Sequence, residues 1–165
     1  MKWYVVHTKP RQESRALINL EQQGFQCFLP TIPKKRVSRR ALQVTQEPLF
    51  ARYLFIELDT ELNGKSWAPI RSTLGVSKLV TFGTETARVD SSLIHLLREQ
   101  QERLSQTPLS PYQTGDLLTI TEGPFKGIEA VYQMDDGEMR AMVLIELLHK
   151  PTKLKIDIAA LEKVG

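Results

Sequence analysis

Apolar and polar positions alternate along this chain with two periods, and the period changes mark its elements. Trp3-Tyr4-Val5-Val6-His7 is a short apolar, β-branched run that predicts a strand. Pro10 follows where the first turn of a helix tolerates proline, and Ala16, Leu17 and Leu20 then recur at the spacing of a buried helical face. Arg11, Arg15 and Asn19 lie four apart on another face, with Gly24 as a C-terminal stop. Strand character returns at residues 25–29, 53–58 and 76–82, the last two separated by a segment around residues 67–71. Asp90 is placed to cap a further helix whose Leu93, Leu96, Leu97 and Leu104 form one apolar stripe. Such a pattern predicts an α+β fold, an antiparallel sheet flanked by helices.

Beyond Leu104 the run Ser105-Gln106-Thr107-Pro108-Leu109-Ser110-Pro111 holds two prolines, small polar residues and no charge, the composition of an extended linker. The chain therefore divides into residues 1–104, a linker at 105–112 and a second domain at 113–165. From Gly115 the second domain predicts two short strands joined by a loop in which Gly123 and Gly127 can take backbone conformations closed to other residues. Residues 141–148 are apolar at every position except Glu146, and two structures fit them. As a strand they are greasy on both faces, of which a small five-stranded barrel buries only one. As a helix they carry a stripe of Met142, Ile145 and Leu148 or of Ala141, Leu144 and Leu148. Pro151 would end that helix, and Leu154, Ile158 and Leu161 would form a matching stripe on a second one, giving a helical hairpin.

Charge changes the picture more than composition does. The net charge is +3, but residues 1–52 carry 10 basic and 3 acidic groups, whereas residues 53–165 carry 12 and 16. A basic half beside an acidic half suits a first domain that meets phosphate and a remainder that meets protein. Lys34-Lys35-Arg36-Val37-Ser38-Arg39-Arg40 places five cations in seven residues, the composition of an exposed hairpin tip for which phosphate is the natural neighbour. No stretch approaches the roughly 18 apolar residues that span a bilayer, so a cytoplasmic protein with no membrane contact is expected. The single cysteine, Cys27, cannot pair within the chain, and His7, His95 and His149 have no metal-ligand spacing, so neither metal nor cofactor is expected. Nothing assembles a nucleophile, a base and an orienting group, which argues against an enzyme.

The turn Gly123-Pro124-Phe125-Lys126-Gly127, which follows Thr119-Ile120-Thr121-Glu122, resembles the KOW motif of transcription factors and certain ribosomal proteins. Trp3-Tyr4-Val5-Val6-His7-Thr8, Gln46-Glu47-Pro48-Leu49-Phe50 before Tyr53-Leu54-Phe55-Ile56, and Ile70-Arg71-Ser72-Thr73-Leu74-Gly75-Val76 resemble successive signatures of the N-terminal domain of the NusG family. The resemblance covers essentially the whole chain and is closest to the RfaH-like branch. It implies a monomeric elongation and antitermination factor that binds the clamp helices of RNA polymerase and suppresses pausing. In such a factor the second domain couples transcription to translation through the small-subunit ribosomal protein NusE. The polymerase-binding surface then falls on Leu49, Phe50, Tyr53, Phe55 and Phe82, and contacts to the nontemplate DNA strand on Lys9, Arg15 and Thr73, a set to which Arg11, Asn19 and Arg71 are added for donors suited to phosphates and base edges. Glu47 and Arg140 map onto an ion pair that fastens a helical second domain over the polymerase surface, the alternative to a KOW barrel.

Two departures stand against the branch: Leu74 replaces an arginine, and Asn63-Gly64-Lys65-Ser66-Trp67 replaces a polymerase-contacting run of histidine and threonines. A general NusG, which also reaches the termination factor Rho, is the alternative. A KOW-type ribosomal or RNA-binding protein is a more distant one, opposed by the acidic excess after residue 52.

Overall fold

In the first strand, β1 (Lys2–Thr8), Trp3 and Val5 point to one face of a sheet, while Tyr4, Val6 and Thr8 point to the other. This computed structural model describes residues 1–37, 41–60, 66–105 and 128–149. After β1 come α1 (Glu13–Gln22), β2 (Gln26–Phe28), β3 (Thr31–Val37), β4 (Leu42–Pro48) and β5 (Tyr53–Leu58). Next are α2 (Ala68–Arg71), β6 (Val76–Leu79), β7 (Thr81–Phe82), β8 (Glu85–Thr86), β9 (Arg88–Val89) and α3 (Ser91–Ser105). A 3-10 turn at Ile128–Gln133 leads into α4 (Gly137–His149).

Antiparallel pairing orders the main sheet β2-β5-β1-β6, and β9 shares the outer edge of β1 with β6. Register sets Val5 opposite Phe55 and His7 opposite Tyr53, so the apolar alternation of both strands falls in phase. One face carries Tyr4, Val6, Leu54 and Ile56 under α1 and α2, through Ala16, Leu20 and Ile70. The other carries Trp3, Val5 and Phe55 under α3 and α4, through Leu93, Leu97, Leu104, Leu144 and Leu147. An α+β sandwich results, with the sheet as its middle layer. Strands β3 and β4 form a separate hairpin, tied to α3 where the Thr31 N–H donates to Gln101 Oε1 at 2.9 Å.

Several expectations change in detail. Helix α1 begins at Glu13, so Pro10 lies in the turn before it, and Arg11, at φ 62°, stands off the helix instead of sharing a face with Arg15 and Asn19. The run at residues 76–82 breaks at Val80, whose N–H nonetheless donates to Val5 O at 2.9 Å and keeps the chain on the sheet edge. Helix α3 has its expected cap, with Asp90 Oδ1 accepting from the Ser92 N–H at 2.9 Å. Helix α3 takes in Ser105, expected to open the linker, while Ser38, Arg39 and Arg40, the rest of the linker at 106–112, the KOW turn and the 154–161 stripe lie outside the described residues.

Residues 141–148 form a helix within α4. Its buried stripe is Ala141, Leu144 and Leu147, with Leu148 only partly covered and Met142 65% exposed. The stripe therefore shifts by one position at its C-terminal end from the spacing expected of it.

Gly75 closes the turn between α2 and β6 at φ 90°, and a Cβ there would lie 2.7 Å from the Ala16 backbone nitrogen. Only glycine fits both constraints. We expect Gly75→Ala to lower stability in urea by about 1–3 kcal/mol, the usual range for a forced left-handed residue, with the helix moved off the turn. An unchanged unfolding midpoint would show that the close approach is not constraining.

Candidate functional site

Arg140, in the first turn of α4, is 1% exposed, and an isolated guanidinium at that depth would be strongly unfavourable. It is held by four acceptors. Nε donates to Leu49 O at 2.6 Å, Nη1 to Met134 O at 2.6 Å, and Nη2 to Glu47 Oε1 at 2.9 Å and to Pro48 O at 3.5 Å. Three of those four come from β4 and the residue after it, about ninety positions away in sequence. Glu47 also receives Lys34 from the facing strand, Nζ to Oε2 at 3.5 Å, so one carboxylate serves two cations.

The backbone fastens the same end of α4, since the Ala51 N–H donates to Gly137 O at 3.1 Å. Asp136 caps the helix, its Oδ1 accepting from the Glu138 N–H at 2.9 Å. At the far end, His149 stacks on Phe82 with ring centroids 4.3 Å apart. Between these ends α4 lies along the sheet, and His7, Arg52 and Tyr53 line a groove of about 400 Å³ with Ala141, Met142 and Ile145. His7 stacks on Tyr53 at 5.0 Å; burial, then Arg52 and Lys78, hold its imidazole below the usual histidine range.

All five residues expected at an apolar surface, Leu49, Phe50, Tyr53, Phe55 and Phe82, therefore belong to one cluster that also contains α4. They are not equally available. Leu49, Phe50 and Phe55 are fully buried, with Phe55 packed between the rings of Phe28 and Phe50, whereas Tyr53 and Phe82 are half-buried beside α4.

The residues expected to meet nucleic acid divide as well. Lys9, Arg15 and Arg71 are exposed around one corner, where the Lys9 N–H donates to Gly75 O at 2.9 Å and Gly75 abuts α1. Leu74, 58% exposed, projects at the same turn. Arg11 instead opens on a cleft beside the start of α4. Asn19 spends its amide on Arg15 O at 2.7 Å. Thr73 is buried, its hydroxyl donating to Pro69 O at 2.9 Å and accepting from Gln23 Nε2 at 2.7 Å. A hydroxyl so engaged has no donor left for a base edge.

Sequence reasoning missed Lys34 as a second partner of Glu47, and it missed Arg52. Arg52 takes φ 71°, donates its backbone N–H to Glu13 Oε2 at 3.1 Å, and buries an Nε that has no hydrogen-bond partner among the described residues. One signal for α4 was available: Asp136, just ahead of the apolar run, is a helix cap in waiting. Among the described residues no group of His, Cys, Asp or Glu is placed to hold a metal, and no helix is long and apolar enough to cross a membrane.

The chain is 24% identical over 172 residues to the transcription termination/antitermination protein NusG of Rickettsia bellii, covering 98% of this chain and 90% of that one. Its identity to the Thermus thermophilus protein of the same name is 24% over 182 residues, covering 99% and 98%. Against the Helicobacter pylori (strain ATCC 700392 / 26695) protein it is 25% over 176 residues, covering 99% of each chain. The chain spans 63% of the longer Streptomyces coelicolor relative. A solved structure of Thermotoga maritima NusG superposes with a TM-score of 0.42 at 21% identity, over 76% of this chain and 75% of that one. The family described as transcription termination factor nusG matches residues 1–98, more than half of the sequence, and the chain thus belongs to the NusG family of transcription factors, which bind RNA polymerase and are not enzymes.

Proposed function

We propose that this protein is an operon-specific, RfaH-like antitermination factor whose own C-terminal segment covers its polymerase-binding face. One observation carries the reading: α4 lies on the sheet face that holds Tyr53 and against Phe82 of the β7–β8 pair, fastened at one end by the Arg140–Glu47 pair and at the other by the His149–Phe82 stack. A helix burying two leucines gains roughly 1.5–3 kcal/mol per side chain, enough to occupy a face but not to hold it against a large partner. Residues 1–104 are then the polymerase-binding domain, 105–112 the linker, and 113–165 the segment that is lid when docked and tether when released. Released, the first domain grips the clamp helices through Tyr53 and Phe82 and steadies the nontemplate strand with Lys9, Arg11, Arg15 and Arg71. The freed segment recruits NusE and couples transcription to translation, in a cytoplasmic monomer. A general NusG is the second reading, favoured by the name its relatives carry.

A disulfide tests the lid directly. A Cβ at Gly137 would stand 3.4 Å from Ala51 Cβ, within reach of a disulfide, and Cys27, half-buried with its thiol pushed up to about 12, will not compete for oxidant. The full chain carrying Ala51→Cys and Gly137→Cys, once oxidised, is expected to bind core polymerase at least about tenfold more weakly than after reduction. Equal binding in both states would mean that α4 need not leave, and the reading would fail.

A further inference from the structure

The start of α4 does more than fasten the helix. Asp135, Asp136 and Glu138 line a cleft of about 590 Å³ together with Arg11 and Lys34. All five side chains are exposed, and among the described residues neither Arg11 nor Asp135 closes an ion pair. Glu13 and Glu47 line the same cleft, with Glu47 already paired to Lys34, and the charges left over interact across solvent through their field. A field of this kind is felt over about 8 Å at physiological salt, the scale of the cleft itself.

We propose that the acidic turn at residues 135–138 is an electrostatic screen. With α4 docked, it adds three carboxylates to the cleft that holds Arg11 and Lys34 and lowers the affinity of that edge for the phosphodiester backbone of single-stranded nucleic acid. The screen rests on the proposed nucleic-acid contact of Arg11, and it adds regulation to that contact.

Two features bind the screen to the helix. Asp136 is the cap of α4, and Gly137, between the carboxylates, accepts the backbone bond from Ala51. The carboxylates therefore cannot leave the cleft while α4 stays, nor remain there once it goes. Arg11 is fixed by its left-handed backbone and by the turn in which the Gln12 N–H donates to Lys9 O at 3.1 Å. Undocking would uncover the apolar face and unmask the basic edge in a single event. A strand of nucleic acid beside the cleft would in turn weaken docking, because phosphate and carboxylate compete for the same cations.

The experiment measures binding of a fluorescent single-stranded DNA of mixed sequence, about 12 nucleotides long, by full-length chains at low salt. Asp135→Asn with Glu138→Gln removes two charges and keeps the Asp136 cap. We expect roughly fivefold tighter binding with a steeper salt dependence, while the α4 amide shifts stay those of the docked helix. Adding Arg11→Gln is expected to abolish the gain. Glu99→Gln with Glu102→Gln, on exposed positions of α3, removes the same charge elsewhere and should change binding less than about twofold.

Affinity no tighter than this control, or a gain indifferent to Arg11, overturns the screen. Absence of binding by every chain overturns the nucleic-acid edge and the screen together. Neither result touches the lid, which stands or falls on polymerase binding by the oxidised Ala51→Cys, Gly137→Cys chain.

Discussion

Replacing Glu47 with serine is expected to release α4 from the sheet while leaving the first domain folded. The substitution removes the anion that, among the described residues, faces a guanidinium that is 1% exposed, and it leaves three neutral carbonyls around a full positive charge. Breaking a buried pair in this way costs about 3–5 kcal/mol, a factor of a hundred or more in the docking equilibrium. Lys34 sharpens the effect. In the native chain it shares the Glu47 carboxylate, so that its repulsion from Arg140 is screened by the charge between them. With serine at position 47 the two cations face each other directly. Amide shifts of residues 137–149 should move to those of an undocked segment, and affinity for core polymerase should rise by at least about tenfold. Arg140→Lys should release the helix too, since a single ammonium cannot reach acceptors spread from Met134 to Leu49. Unchanged shifts in Glu47→Ser would mean that the apolar stripe holds α4 unaided, and that the pair is an ornament of the docked state.

What the sequence disclosed and what it withheld divide along physical lines. Strands β1 and β5 were legible because each has one face in each apolar cluster, and a short unbroken apolar run records that. Helix α3 was legible because one stripe and one cap suffice to define it. Residues 141–148 were not, because a segment apolar at all but one position satisfies the periods of helix and strand equally. Contacts from β4, some ninety residues earlier, decide the matter. The buried Arg140 has its acceptors only if the segment coils, and that pairing was reachable through family resemblance but not through spacing. Arg11 and Thr73 show the converse limit. Helical spacing put Arg11 on the face of α1, but the chain reverses there at positive φ. Thr73 looked free until Gln23, fifty positions away, took its hydroxyl. Burial and long-range polar contacts belong to the assembled fold, and local sequence carries no trace of them.

The apolar surface inferred from five residues is better understood as two shells, and substitution separates them. Phe55 lies at the centre of the sheet, fully buried, with Phe28 and Phe50 stacked and edge-on against its ring. Phe55→Ala is expected to destabilise the first domain by about 3–5 kcal/mol in urea, and any loss of polymerase binding would follow from unfolding. Tyr53 lies two residues away on the same strand face but is only half-buried, against His7 and the groove beside α4. Its removal uncovers no deep cavity, so Tyr53→Ala should cost about 1 kcal/mol or less in stability. An aromatic at the centre of an interface commonly contributes 2 kcal/mol or more, so the same variant should bind core polymerase at least about thirtyfold more weakly. The comparison belongs in the Glu47→Ser background, where the lid no longer competes and Tyr53 meets the partner directly. If Tyr53→Ala bound polymerase normally there while remaining folded, the half-buried shell would be lining for the lid and nothing more, and the grip of the enzyme would have to be sought on another face of the domain.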